Sequence, residues 1–272
     1  MPSIAVVSDS HLSMANPVGD RNWDAVVEHL TRTEPDLVLH AGDISADGMD
    51  LQADLEHAKA QLDRLPVPWL AVPGNHDLGI PHRDRGLTLE RRARYENVFG
   101  DRFWVSDLDR WRIVGLDTEE LVSDHPDDDA AWAWTAEQLS SDRPTVVLLH
   151  RPVAPSAAGL PPDDPAPEDG RRYIPWTVGE RLFGLLGQSP MAALISGHIH
   201  QWRSSTIAGS QWISAPSTWA YIDPNKQEAI GEKVVGLVEF ELEAPEGARV
   251  VKPAGIEQHI SGASRRPLDS SR

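Results

Sequence analysis

Short apolar runs, each closing on a polar cluster, recur through the first three quarters of the chain, at 4–7, 37–39, 69–72, 113–116, 146–149 and 192–195. Runs this short, apolar at nearly every position, suit strands buried on both faces. Between several of them the apolar positions take helical spacing, at 23–30, 51–65, 89–98, 131–139 and 178–186. Strand and helix in alternation predict an α/β domain whose sheets are covered by helices. After residue 200 the pattern changes to strands without long helices, at 204–207, 211–214 and 234–242, expected to complete a second sheet. A catalytic domain over 1–242 is therefore expected, followed by a loosely ordered tail over 243–272, where Gly, Ala, Pro, Ser and charge dominate. The proline- and acid-rich stretch 152–175 is too long for a tight turn and reads as a functional loop or lid.

Composition narrows the picture. With 40% hydrophobic residues over 272 positions, the chain has enough apolar material for a sizeable core. It has no stretch near the roughly 18 apolar residues needed to span a bilayer, and its first residues lack a basic segment leading into an apolar one, so a cytoplasmic protein with no membrane partner is expected. It has no cysteine, so any metal must be held by histidine, carboxylate and amide groups. The net charge of -17 repels polyanions, and no nucleic-acid partner is expected. The densest basic cluster, Arg91, Arg92 and Arg94, reads as a solvated helix face. The assembly state is not readable, and a homo-oligomer stays open.

Five of the apolar runs end on residues able to bind metal. Asp9-Ser10-His11 follows the first, Gly42-Asp43 the second, Gly74-Asn75-His76-Asp77 the third, His150 the fourth and Gly197-His198-Ile199-His200 the fifth. Open α/β sheets bind ligands at the carboxyl ends of their strands, where such side chains converge. In an extended segment residues i and i+2 share a side, so Asp9 with His11, and His198 with His200, are each expected to reach one place, with Ser10 and Ile199 facing away. The glycines allow tight turns and close backbone approach where the ligands are delivered.

This series of D-x-H, G-D, G-N-H-D, H and G-H-x-H blocks, in that order over residues 9 to 200, resembles the calcineurin-like metallophosphoesterase superfamily. The resemblance implies a four-layer α-β-β-α sandwich with two mixed sheets and a dinuclear metal site. It implies that Asp9, His11, Asp43 and His200 hold one ion and that Asp43, Asn75, His150 and His198 hold the other, with Asp43 bridging. His76 is then expected near the leaving group, as an acid or a charge stabiliser. Asp77 either supports that loop or simply forms a turn.

Two divalent ions roughly 3.5–4 Å apart share and ionise a bridging water, which becomes the attacking hydroxide. Manganese, iron and zinc all accept these ligand types. Four positive charges against Asp9, Asp43 and a hydroxide leave the pocket cationic, suited to a small anionic ester even in an acidic protein. Within the superfamily the chain looks most like bacterial class III cyclic-nucleotide phosphodiesterases and related small phosphodiesterases. Gly-His-Ile-His-Gln at 197–201 and Ala-Pro-Ser-Thr at 215–218 carry that likeness, the second also reading as a strand-ending turn. The expected substrate is a small phosphodiester, of cyclic nucleotide or glycerophosphodiester type. A phosphomonoesterase or protein phosphatase, a nuclease and a noncatalytic scaffold are the rival readings. Many of these relatives carry His-His-Pro where this chain has His150-Arg151-Pro152, and Arg151 either grips phosphate or points to solvent. With Arg151, Asn75 and His76 are the groups expected to touch substrate, and Arg171, Arg172, Tyr173, Trp219 and Tyr221 are further candidates.

Overall fold

In the computed structural model of the chain, which describes residues 1–79, 86–123, 128–154 and 172–261, the six apolar runs are strands. The chain begins with β1 (Ser3–Val7), α1 (Pro17–Thr33), β2 (Leu37–His40), α2 (Gln52–Leu62), β3 (Trp69–Ala71), α3 (Asn75–Leu78) and α4 (Leu89–Phe99). It continues through β4 (Trp104–Leu108), β5 (Trp111–Leu116), α5 (Thr118–Leu121), α6 (Asp128–Leu139), β6 (Thr145–Leu149), α7 (Trp176–Leu186) and β7 (Met191–Ser196). It closes with β8 (Arg203–Ile207), β9 (Ser210–Ser214), β10 (Tyr221–Ile222), β11 (Leu237–Glu241), β12 (Ala244–Val251) and β13 (Ile260–Ser261).

Two large sheets result, in the orders β12-β11-β1-β2-β3 and β4-β5-β6-β7-β9-β8. In the first, β1, β2 and β3 are parallel while β11 and β12 are added antiparallel. In the second, β5, β6, β7 and β9 are parallel, with β4 and β8 antiparallel at the edges. Alternation along the strands sorts their side chains into three cores. Ile4, Val6 and Leu39 of one sheet meet Ile113, Val146, Leu148 and Ile195 of the other. Ala5, Val7 and Val38 pack outward against Trp23, Val26, Leu55, Leu62 and Tyr95 of α1, α2 and α4. Val114, Leu116, Val147 and Leu149 pack outward against Trp132, Leu139, Leu182 and Leu186 of α6 and α7. Helix, sheet, sheet, helix is the expected four-layer sandwich.

Several elements differ from expectation. The late strands do not all enter the second sheet: β8 and β9 do, but β11 pairs with β1, sending Val238 and Phe240 into the core between the sheets. The segment from 243, expected to be a loose tail, supplies β12 and β13. β12 is an edge strand whose side chains stay partly or fully exposed, and its Ala and Val residues are interrupted by Pro245, Glu246, Gly247 and Arg249, so no clear strand pattern shows in the sequence. Residues 262–272 of the expected tail lie outside the described residues. The arginines of α4 are not a solvated face. Arg92 is buried and ion-paired with Glu120 at 2.5 Å, while Arg91 and Arg94 both donate to the Met49 carbonyl. Of the proline-rich stretch, 155–171 and with it Arg171 lie outside the described residues; its ends are joined by the Ile174 N–H donating to the Pro152 carbonyl.

Leu148 is fully buried between the two sheets. Leu148→Ala is expected to lower unfolding free energy by about 2–5 kcal/mol, read from urea denaturation, with the far-ultraviolet circular dichroism of the folded state unchanged.

Candidate metal centre

The ligand-type residues sit just past the ends of β1, β2, β3, β6 and β7, but not in extended backbone. Asp9, His11, Asp43, His198 and His200 all have positive φ, between 44° and 70°. Such conformations cost a non-glycine residue roughly 1–3 kcal/mol each and persist only where the surroundings hold them. Here the holding groups are backbone bonds between the loops: the Asp9 N–H donates to the Gly42 carbonyl, and the His11 N–H to the Asp43 carbonyl. Left-handed turns, not strand pleating, therefore aim these side chains. The i, i+2 expectation holds for Asp9 and His11, which group with His200. It fails for His198, which parts from His200 and groups with Asp43 and His150. Gly42, with φ of 86°, also has no room for a side chain, since a Cβ there would lie 2.6 Å from His150 Nδ1.

Asp43 stands between the groups. Its Oδ2 lies 3.4 Å from His150 Nε2 and 3.9 Å from His11 Nε2, while its Oδ1 accepts from the His76 backbone N–H at 2.7 Å. Asn75 Oδ1 is 3.3 Å from His150 Nε2. His11 Nε2 and His200 Nε2 face each other at 3.4 Å, as do His150 Nε2 and His198 Nδ1 at 3.2 Å. All seven residues expected to be ligands thus come together. His76 stands beside them, its ring edge-on to His11 with centroids 4.6 Å apart.

The outer atoms decide which nitrogens carry lone pairs. Nδ1 of His150 is 2.8 Å from the Ala41 carbonyl, Nδ1 of His200 is 2.6 Å from that of Ala220, and Nδ1 of His76 is 2.7 Å from that of Ala46. A carbonyl only accepts, so each ring is a donor at Nδ1, and in its neutral form keeps a lone pair at Nε2, facing inward. Asp9 Oδ2 accepts from the Ser8 hydroxyl and the His198 N–H, whereas its buried Oδ1 has no well-aligned hydrogen bond, although His200 Nε2 lies 3.2 Å away.

Electrostatics agree. Burial alone would raise the Asp9 and Asp43 carboxyls, yet the charges of His200 and His150 hold both below the usual carboxylate range. Burial alone would lower His150, yet the Asp43 carboxylate pushes it up to about 10, and Asp9 likewise raises His200. His11 goes the other way, lowered by burial and by the neighbouring His76 charge. Two buried carboxylates among inward lone pairs favour positive charge at this place, which protons on histidine or metal cations can supply. Asp9 and Asp43 carboxylates, an Asn amide and imidazole nitrogens form a donor set suited to divalent metal.

Other residues were missed or misread from sequence. Arg151 neither points to solvent nor stands free to grip phosphate: it is buried, its Nε donates to Glu119 at 2.6 Å, and its Nη1 lies 3.2 Å from His198 Nε2. Asp77 does support its loop, accepting from the backbone N–H groups of Ile44, Ser45 and Gly74 and from the Ser45 hydroxyl. Burial and the Asp43 charge raise its carboxyl to about 6. Ser217 in the 215–218 segment donates to the Asp9 carbonyl at 2.7 Å, tying the end of β9 to the first ligand loop. The site opens into a cleft of about 520 Å³ lined by Asn16, His76, Trp219 and Ile222 among others. Trp219 belongs to that lining, edge-on to His11 at 4.7 Å; Tyr173 lines a separate cavity, and Tyr221 lines neither.

Comparison with known proteins gives a consistent picture. The family profile described as calcineurin-like phosphoesterase matches residues 2–202. A protein named Probable cyclic nucleotide phosphodiesterase from Synechococcus is 26% identical over 81% of this chain and 82% of its own. Glycerophosphodiester phosphodiesterase GpdQ from Enterobacter lignolyticus is 29% identical over 75% of each chain. Among solved structures, a dimetal phosphatase from Danio rerio shares the fold with a TM-score of 0.59 at 16% identity, covering 88% of this chain and 91% of that one.

Asp77→Ala strips an acceptor from three backbone donors around Asp43 and Asn75. A loss of about 3 kcal/mol or more in unfolding free energy is expected by chemical denaturation, because buried donors left without partners cost their desolvation.

Proposed function

The chain belongs to the calcineurin-like phosphoesterase family, which makes it a metal-dependent phosphoester hydrolase, and we propose that it cleaves a small-molecule phosphodiester with two metal ions. The observation that carries the reading is the place of Asp43, one carboxylate within 4 Å of histidines from both ligand groups. Asp9, His11, Asp43 and His200 would hold one ion, and Asp43, Asn75, His150 and His198 the other. Manganese, iron and zinc fit these nitrogen and oxygen donors. Bound there, the ions would supply an ionised water near neutral pH and positive charge for the phosphate oxygens.

The protein's own groups do the rest. Hydrolysis adds hydroxide to phosphorus and breaks one ester P–O bond, and the departing alkoxide must gain a proton. His76, on the wall of the cleft, has its Nδ1–H on the Ala46 carbonyl, so Nε2 is the atom from which it would give that proton. Asn75, neutral where an aspartate would cancel charge, leaves the site cationic toward the substrate's phosphate. Ala41 and Ala220 carbonyls keep His150 and His200 in the orientation that ligation needs. The Trp219 ring and Ile222 offer an apolar wall to an alcohol or nucleoside group.

Both relatives named for diester hydrolysis, of a cyclic nucleotide and of a glycerophosphodiester, support a diester substrate. The net charge of -17 argues against a nucleic-acid polyanion. No helix among the described residues is long and apolar enough to cross a membrane, and a cytoplasmic location completes the reading.

Manganese-loaded protein is expected to turn over bis-nitrophenyl phosphate faster than nitrophenyl phosphate, and to act on cyclic nucleotides or linear diesters in a substrate panel; a preference for monoesters throughout would make it a monoesterase using the same groups. His76→Ala is expected to slow diesters with alkyl leaving groups by about 10²–10⁴-fold and nitrophenolate esters much less. An equal loss on both classes would remove the general-acid role.

A further inference from the structure

The last described stretch of the chain, expected to be loose, is built into the cleft. Half-buried Ser261 of β13 lines it together with Ile222 of β10 and Trp219. The two strands pair in parallel, Tyr221 with Ile260 and Ile222 with Ser261, and a pair this short does not hold on its own. Two side-chain amides hold it. Asn22 of α1, fully buried, accepts from the Glu257 N–H at 2.7 Å and donates to the carbonyls of Glu257 and Trp219, both at 3.1 Å. Gln258 accepts from the Val235 N–H at 2.9 Å and donates to the Val235 carbonyl at 2.8 Å. Each amide makes the two bonds that a neighbouring strand would make. Through Asn22, the strap over 257–261 and the loop that carries Trp219 are fixed by one side chain, and the Trp219 ring also leans on His259, with centroids 6.2 Å apart. Beyond the metal-ligand residues and His76, the cleft lining among the described residues has no Lys, Arg, Asp or Glu. A charged group laid against such a wall gives up water without gaining a counter-ion.

We propose that Trp219, Ile222 and Ser261, held in place by Asn22 and Gln258, form a specificity wall that receives one alcohol arm of the phosphodiester and favours an arm that is uncharged and presents an apolar face. The inference rests on the diesterase reading above and adds to it which part of the substrate this wall selects. The phosphate is served at the carboxylate and histidine cluster, so the wall acts on the arm alone. An arm that carries a second anion finds no cation there, and discrimination follows the charge of the arm. Asn22 and Gln258 are positioning residues, since neither belongs to the cleft lining.

The chain has no cysteine, so Ser261→Cys carries a single thiol, placed on the wall. In the manganese-loaded full chain, diphenyl phosphate, a diester with two neutral arms and poor leaving groups, is expected to slow alkylation of that thiol by iodoacetamide about tenfold at about ten times its half-saturating concentration, as occupancy requires. Inorganic phosphate, which has no arm, is expected to leave the rate unchanged. Turnover supplies a second measure. Phenyl nitrophenyl phosphate and 4-carboxyphenyl nitrophenyl phosphate share a leaving group and differ by one charge on the arm. The wild type is expected to favour the first in kcat/KM, and Ser261→Lys to shift the ratio toward the second by roughly 2- to 5-fold, the worth of an exposed ion pair. Gln258→Ala, which loosens the strap without altering the lining, is expected to raise KM for the phenyl arm with little change in kcat. Absence of protection by diphenyl phosphate, equal protection by inorganic phosphate, a Ser261→Lys ratio equal to that of the wild type, or a Gln258→Ala loss carried by kcat alone overturns the inference while leaving diester hydrolysis intact. Failure of the manganese-loaded wild type to turn over any diester overturns the diesterase reading and this inference with it.

Discussion

The structure depends on keeping two buried carboxylates, Asp9 and Asp43, charged and close to a ring of histidines. Carboxylates out of water are costly unless positive charge or hydrogen-bond donors stand against them. Each has its donors: Ser8 and the His198 N–H for Asp9, the His76 N–H for Asp43. Each also leaves an oxygen turned toward imidazole nitrogens. A hydrogen-bonded half and an open half is the state in which a carboxylate is fixed in space yet ready for a cation. The two sheets meet on a continuous apolar core, which brings the end of β1 and the end of β7 near enough for the His198 N–H to bond Asp9.

Holding the ligands in left-handed turns is part of the same constraint. A strand delivers side chains alternately to its two faces, and a sheet edge alone would send neighbouring ligands apart. Positive φ at Asp9, His11, Asp43, His198 and His200 turns the chain out of the extended path past the strand ends. The strain is offset locally, by backbone bonds that lace the Asp9, His11 and Leu12 N–H groups to the loop after β2, and by Asp77, which gathers three N–H groups beneath Asp43. Residues of no catalytic type therefore fix the geometry: Ser8, Ser217, and the carbonyls of Ala41, Ala46 and Ala220.

What could be read from sequence follows from this division. Asp9, His11, Asp43, Asn75, His150, His198 and His200 stand out because few structural roles require such residues at successive strand ends. The layered fold was legible too, because both-face burial makes strands nearly all apolar. The turn geometry was not, since nothing in Asp-Ser-His distinguishes a left-handed loop from a strand continuing. Arg151 was misread because its partners, Glu119 and His198, lie 32 and 47 positions away. β12 escaped because Pro245, Glu246, Gly247 and Arg249 break up its Ala and Val residues, and Asp77 was ambiguous because a turn-forming acid and one gathering buried N–H groups look alike.

The arginines and acids behind the site explain why so much buried charge need not distort it. Among the described residues, Arg92 pairs with Glu120, Arg102 with Glu96, Asp117 and Glu120, and Arg151 with Glu119, so each buried acid of the set has a guanidinium against it. Opposite charges paired this closely cast less field at a distance than either sign would alone. The surface charge that makes the chain strongly acidic is screened within about 8–10 Å at physiological salt. What an incoming phosphate ester meets in the cleft is then set by Asp9, Asp43 and any cations they would hold, which is how an acidic protein would present a cationic pocket to a small anion. The same pairing fixes Arg151 beside His198 instead of leaving it a stray charge.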